Sequence, residues 1–210
     1  MMPPSSSDRD RTDSGRRPDA VYTPREDSFL LVPFARVARG SSLLDIGTGS
    51  GVVALEAARR GARVVATDLN PHALRRVRDV ARREGFELAL VRTDLARGLG
   101  RFDRVVANPP YLPLQPEERD PDRWQNLALD GGPDGCRVTA RLVESLPEHL
   151  RPGGEAYVVA SSLQSAGRLA ALREQWELRG GNLTVVARRA LEGERLEVWR
   201  FVGAPPAPPA

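Results

Sequence analysis

Four consecutive residues, Asn108-Pro109-Pro110-Tyr111, bring together a primary amide, two fixed backbone angles and a flat phenol ring. The Asn108 side-chain oxygen and the Pro109 carbonyl are neighbouring acceptors, and the prolines remove competing N–H groups while holding the chain extended. Such a pair suits a planar NH2 whose lone pair is delocalised. Two acceptors can take its two hydrogens, draw the nitrogen toward tetrahedral geometry and aim the lone pair at an electrophile. Tyr111 offers a face on which a planar group can stack. The plainer reading is a turn, because Asn-Pro-Pro is a strong turn former.

A second constellation lies upstream, in Asp45-Ile46-Gly47-Thr48-Gly49-Ser50-Gly51. Gly47, Gly49 and Gly51 allow positive φ and a close backbone approach to a ligand. A dinucleotide fingerprint would place its third glycine where Val52 stands, and a phosphate-binding Walker loop would need a lysine, of which the chain has none. Asp68 follows the second predicted strand, where a ribose diol needs an acceptor. Asp94 follows the third, placed to accept from an adenine amine. Asp45 opens the loop and can attract an ammonium or sulfonium. Any one of these aspartates reads equally well as a helix or turn cap; all three at strand ends form a pattern. A ribose, an adenine and positive charge together describe S-adenosyl-L-methionine, whose carboxylate would suit the N-terminus of the helix starting at Val52. The tetrapeptide residues are then the expected catalytic group, and a methyl on sulfonium needs neither metal nor strong base. His72 and His149 stand far apart on predicted helices and read as structural or exposed. Cys136 has no basic partner in its motif and reads as a packed thiol.

These residues need a scaffold that gathers strand ends. Helical periodicity spans Glu26 to Val37, with Phe29, Leu30, Phe34 and Val37 inward. An apolar strand covers Ser42 to Ile46, a helix Val52 to Arg60, and a buried strand Arg63 to Thr67. Asn70 and Pro71 form an N-terminal helix signature ahead of Leu74, Val77, Val80 and Ala81. Strands follow at Glu87 to Val91, Arg104 to Ala107 and Ala156 to Ala160, with helices at Val138 to Leu150 and Leu163 to Leu172. Two last strands lie near Leu183 to Ala187 and Leu196 to Phe201. Strands alternating with helices predict an α/β fold, a parallel sheet covered on both faces, with ligands at the carboxyl ends of its strands.

The 210 residues fit one such domain. Residues 1–20 balance four Asp against four Arg with hardly an apolar side chain, and are expected to be a disordered segment. Residues 204–210 form a Pro/Ala-rich tail, leaving 21–203 for the domain. No apolar run reaches the roughly 18 residues of a membrane span, and no h-region of a signal peptide follows Met1. One cysteine excludes an internal disulfide and fits a cytoplasmic protein. All 31 basic residues are arginine, and Ile46 is the only isoleucine. That skew points to a G+C-rich coding sequence as the source of the pI of 9.7, since the net charge is only +3. A stable nucleic-acid complex is not expected.

The chain resembles the HemK-type release-factor glutamine methyltransferases of the class I methyltransferase superfamily, in the short branch lacking an N-terminal helical domain. The resemblance runs over nearly all of 21–202. It is carried by Val21-Tyr22-Thr23-Pro24-Arg25-Glu26-Asp27-Ser28-Phe29-Leu30-Leu31, the Asp45–Gly51 loop, Thr67-Asp68-Leu69-Asn70-Pro71, Thr93-Asp94-Leu95, the Asn108 tetrapeptide and Asp130-Gly131-Gly132-Pro133-Asp134-Gly135. It implies a Rossmann-like, mostly parallel seven-stranded sheet with one antiparallel strand near its end. It also implies cofactor contacts from Ser28, Asp45, Gly47, Asp68, Asp94, Leu95 and Asn108, with a serine where threonine is commoner. The implied substrate is the glutamine of a Gly-Gly-Gln loop in a release factor, and the implied partner a small activator subunit. The segment from Leu112 to Pro133, with Trp124, departs most from the family pattern and would shape the substrate entrance. The tetrapeptide alone is shared with amino-methyltransferases of adenine, cytosine and guanine. Methylation of adenine or guanine in nucleic acid is therefore the alternative. A small-molecule N-methyltransferase and a non-catalytic cofactor-binding protein are others.

Overall fold

A computed structural model describes residues 25–203. The expected disordered segment 1–20, the resemblance-bearing residues 21–24 and the tail 204–210 lie outside the described residues.

Seven strands form one sheet in the order β3-β2-β1-β4-β5-β7-β6. They are β1 (Ser42–Ile46), β2 (Arg63–Asp68), β3 (Ala89–Arg92), β4 (Phe102–Ala107), β5 (Leu150–Ser161), β6 (Asn182–Leu191) and β7 (Glu194–Val202). All pairings from β3 to β5 are parallel, and β7 runs antiparallel to both its neighbours. The expected class I sheet with one antiparallel strand is therefore present. Strand order reverses between β1 and β4, and such a switch point opens a crevice at the carboxyl ends.

Period-two alternation sends successive strand residues to opposite faces. Leu44, Val105 and Val158 join a core with Leu142, Leu146 and Trp176. Leu43, Val106 and Val159 face the other way, with Leu31, Val53 and Ala57. The first core thus lies under α5 (Arg137–His149) and α6 (Ala166–Leu178), the second under α1 (Glu26–Leu31) and α2 (Val52–Arg59). The third helix in chain order, α3 (Pro71–Glu84), begins as expected: Asn70 accepts from the His72 amide, and Leu74, Val77 and Ala81 are buried.

The first helix departs from its periodic reading. It stops at Leu31 and tightens into a 3-10 turn over Val32–Ala35, because Pro33 cannot donate in an α-helix. Phe29, expected inward, is 53% exposed. The buried face is Asp27, Ser28 and Leu31; Leu31 joins the core, while the polar Asp27 and Ser28 line a cavity. Between β4 and α5 the chain forms a 3-10 turn (Pro116–Glu118) and the short helix α4 (Arg123–Leu129), neither of which periodicity revealed. Asp122 caps α4 by accepting from the Trp124 amide at 2.9 Å. Among the described residues no helix is long and apolar enough to cross a membrane.

Candidate active site

A cavity of about 670 Å³ opens at the carboxyl ends of β1, β2 and β4. Ser28, Asp45, Gly47, Gly49, Asp68, Asp94, Leu95 and all four tetrapeptide residues line it. Gly51 stands outside that lining. Its φ of 82° caps α2, and a Cβ there would approach Val77 Cγ2 to 2.5 Å, so its role is to let α2 pack onto α3.

Asp45 is nearly inaccessible; its Oδ2 accepts from Thr48 Oγ1 at 2.7 Å and from the Ala54 amide at 3.2 Å. Burial raises its pKa to about 6 against the pull of those two bonds, and the neighbouring Asp68 carboxylate adds to the rise. In Asp68, Oδ2 accepts from the Gly49 amide at 2.9 Å and Oδ1 from the Asn70 amide at 2.8 Å. Burial raises its pKa as well. Asp68 therefore shapes the glycine loop besides facing the cavity. Two carboxylates, Asp45 buried and Asp68 half-buried, held above their ordinary range favour a positively charged or strongly donating ligand.

Asp94 is more open and takes an ion pair from Arg141 of α5 at 2.5 Å. Leu95 holds φ 54°, the one non-glycine in the left-handed region among the described residues, and Thr67 Oγ1 ties down its carbonyl at 2.8 Å. A side chain in that region costs roughly 1–3 kcal/mol, a strain that clusters at ligand sites.

Asn108 Oδ1 is buried without a hydrogen-bond partner. A buried acceptor left unpaired is costly unless a ligand completes it. Tyr111 presents its hydroxyl to Asp27 Oδ2 at 3.2 Å, and Asp27 also accepts from the Ser28 amide at 2.6 Å and from Ser28 Oγ at 3.3 Å. Asp27 escaped notice in the sequence because an acid in a first helical turn reads as a favourable partner of the helix dipole. Arg141 escaped it because its pairing with Asp94 spans 47 residues.

Trp124 of α4 also lines the cavity, beneath the Arg123 guanidinium and edge-on to His72 at 5.8 Å. His72 thus joins α3 to α4 at the surface. His149 is buried with Nδ1 3.3 Å from the Gly100 carbonyl. Cys136 is a buried thiol whose pKa burial raises, as a packed cysteine requires. Among the described residues no three His, Cys, Asp or Glu side chains gather as a metal site would.

Residues 26–126 match the family model described as methyltransferase small domain. The release factor glutamine methyltransferase of Deinococcus radiodurans is 41% identical over 193 residues, covering 81% of this chain and 67% of that protein. Methyltransferase HEMK2 of Mus musculus is 35% identical over 194 residues, covering 86% and 89%. The chain spans 51–52% of the length of four other bacterial relatives. Among solved structures, the E. cuniculi Mtq2-Trm112 complex, described as responsible for methylating the eRF1 translation termination factor, superposes with a TM-score of 0.68. It shares 27% identity, over 88% of this chain and 99% of that one. On these matches and the sheet order, the chain belongs to the HemK-type family of glutamine methyltransferases.

Proposed function

We propose that the chain methylates the side-chain amide nitrogen of a glutamine, in the Gly-Gly-Gln loop of a peptide chain release factor, using S-adenosyl-L-methionine. The observation that carries this reading is the unpaired Asn108 Oδ1, buried in a cavity that the Asp45 and Asp68 carboxylates also line. The relatives named release factor glutamine methyltransferase, and the eRF1-methylating complex, support the acceptor.

In this reading Asp68 accepts from a ribose diol and Asp94 from an adenine amine, with Arg141 as its counter-ion. Asp45 faces the cationic end. Gly47 and Gly49 let the backbone come close, and Ser28 and Leu95 complete the wall. When bound, the cofactor supplies a methyl group already activated by its sulfonium. The protein then has to hold an amide. Asn108 Oδ1 and the Pro109 carbonyl accept its two hydrogens, and Tyr111, anchored through Asp27, flanks its plane. As the N–C bond formed, the methyl–sulfur bond would break to leave a neutral thioether, and one of those hydrogens would pass to water as a proton.

A small activator subunit comparable to the one in the Mtq2-Trm112 complex fits the same reading, as does a cytoplasmic setting. The test is mass spectrometry of intact release factor after incubation with enzyme and cofactor. A gain of one methyl on the normal factor, and none on its Gln-to-Glu variant, is the expected result. No gain on the release factor, with robust methylation of DNA or RNA, would overturn it.

A further inference from the structure

Gln164 lies in the turn after β5, 3% exposed, and every polar atom of its side chain is engaged. Its Oε1 accepts from the Ser161 amide at 2.9 Å. Its Nε2 donates to the Gly135 carbonyl at 2.8 Å and to Thr139 Oγ1 at 2.9 Å. One side chain thus binds the end of β5, the start of α5 and the loop from Asp130 to Gly135.

That loop rests directly on Tyr111. A Cβ built on Gly135 would stand 2.5 Å from the Tyr111 carbonyl oxygen. One built on Gly131 would stand 2.8 Å from Tyr111 Cα and 2.6 Å from the Gly135 oxygen. Backbone pairing closes the contact: the Leu112 amide donates to Leu129 at 3.0 Å and the Gly131 amide to Leu112 at 2.9 Å. Asp130 is fixed in turn by the Gly132 amide and by ion pairs with Arg119 and Arg137. The prolines of the tetrapeptide donate no backbone hydrogen bond of their own, so the loop packed on the Tyr111 backbone complements the Asp27 bond at its hydroxyl.

We infer that Gln164 is a positioning residue for methyl transfer, holding Gly131 and Gly135 against the Tyr111 backbone and so fixing the acceptor end of the cavity. The inference rests on the proposed role of the tetrapeptide. Gln164→Glu keeps the acceptor for Ser161 but turns an oxygen toward the Gly135 carbonyl. Gln164→Met removes both bonds at similar volume, and Gly131→Ala pushes on Tyr111 from the loop side.

The experiment combines hydrogen exchange, calorimetry of S-adenosyl-L-methionine binding and steady-state methylation of release factor. In each variant the Leu112 and Gly131 amides should exchange faster, while the Thr48 amide, bonded to Thr67 at 2.8 Å, stays protected. Turnover should fall on the order of 100-fold, the scale of a displacement of about 1 Å, with cofactor affinity unchanged. Loss in the double variant with Tyr111→Ala should be less than the product of the single losses. Unchanged exchange at Leu112 and Gly131, or affinity and turnover falling together, would overturn the inference. If the wild-type protein methylates no glutamine, the proposed function fails, and exchange at Leu112 and Gly131 still decides whether Gln164 holds the loop.

Discussion

Asp45 is 3% exposed and, with a pKa of about 6, titrates far above the ordinary 3.8 of an aspartate. The fold disfavours its charge, so the cost is absent below pH 3.8 and fully present above pH 6, on the order of 3 kcal/mol. A cationic ligand beside it favours the carboxylate, so binding expels the proton wherever Asp45 is still protonated. Cofactor affinity should therefore rise as pH climbs toward about 6, by up to about tenfold per pH unit, and level off above it. Asp45→Asn should flatten that profile and weaken binding at neutral pH. Calorimetric titration across this range checks both; a flat profile in the wild type would refute the placement of positive charge there. Asn108 carries a different expectation. Its Oδ1 has no partner among the protein's own groups, so Asn108→Ala should leave thermal stability unchanged or slightly raised, since an acceptor without a protein partner is removed. Turnover should drop about 100- to 1,000-fold, as for loss of one positioned polar group. Melting curves and single-turnover rates separate the two effects. Both residues were legible in the sequence because each stands at the end of an apolar strand. Asp27 and Arg141 were not, because their partners Tyr111 and Asp94 are distant along the chain and no local pattern encodes a pairing.

At the scale of elements, legibility follows burial. The strand Ser42–Ile46 is buried at all five positions, and its bounds were read to the residue. The helix α3 shows its cap, its first-turn proline and its apolar stripe, and all three hold. By contrast, α4 has no buried residue at all, so it offers no periodicity, only the Asp122 cap. Glycine roles were the hardest to separate, because the same residue serves ligand approach and helix packing. Gly51, read as a cofactor contact, lies outside the cavity lining and is tightly packed against Val77. That assignment has a measurable consequence. Gly51 and Gly40 share the left-handed conformation, φ 82° and 81°, but only Gly51 has a neighbour within 3 Å of its would-be Cβ. Alanine at either site should cost roughly 1–2 kcal/mol for the backbone. At Gly51 the clash with Val77 adds to it, and Gly51→Ala combined with Val77→Ala should recover part of that excess. Thermal unfolding of the three variants is the measurement, and equal losses at Gly40 and Gly51 would refute the packing role.

At the scale of the whole molecule, charge decides between a protein and a nucleic-acid acceptor. The net charge is +3, yet it is not evenly spread. The helix α3 exposes Arg75, Arg76, Arg78, Arg82 and Arg83, none in an ion pair among the described residues. Of the arginines that line the cavity, Arg119 and Arg137 pair with Asp130 and Arg141 with Asp94, while Arg123 lies over the Trp124 ring. An unpaired cationic strip thus lies on the flank of α3, while three of the five arginines lining the cavity are held in ion pairs. An enzyme gripping six to ten phosphates loses about 1,000- to 100,000-fold in affinity between about 50 and about 200 mM salt. A glutamine loop carries no phosphates for these arginines to grip and should show much less. Methylation of release factor should change less than about threefold over that range, since exposed charges are largely screened by then. Reversing Arg75, Arg76 and Arg82 to Glu should leave methylation intact, because these side chains lie outside the cavity lining. The same triple variant should abolish whatever salt-sensitive association with DNA or RNA the wild type shows. Radiolabel transfer to release factor and filter binding to nucleic acid, each at both salt concentrations, provide the comparison. A steep salt dependence of methylation itself, lost in the triple variant, would mean that α3 belongs to the substrate site and would return the weight to a nucleic-acid acceptor.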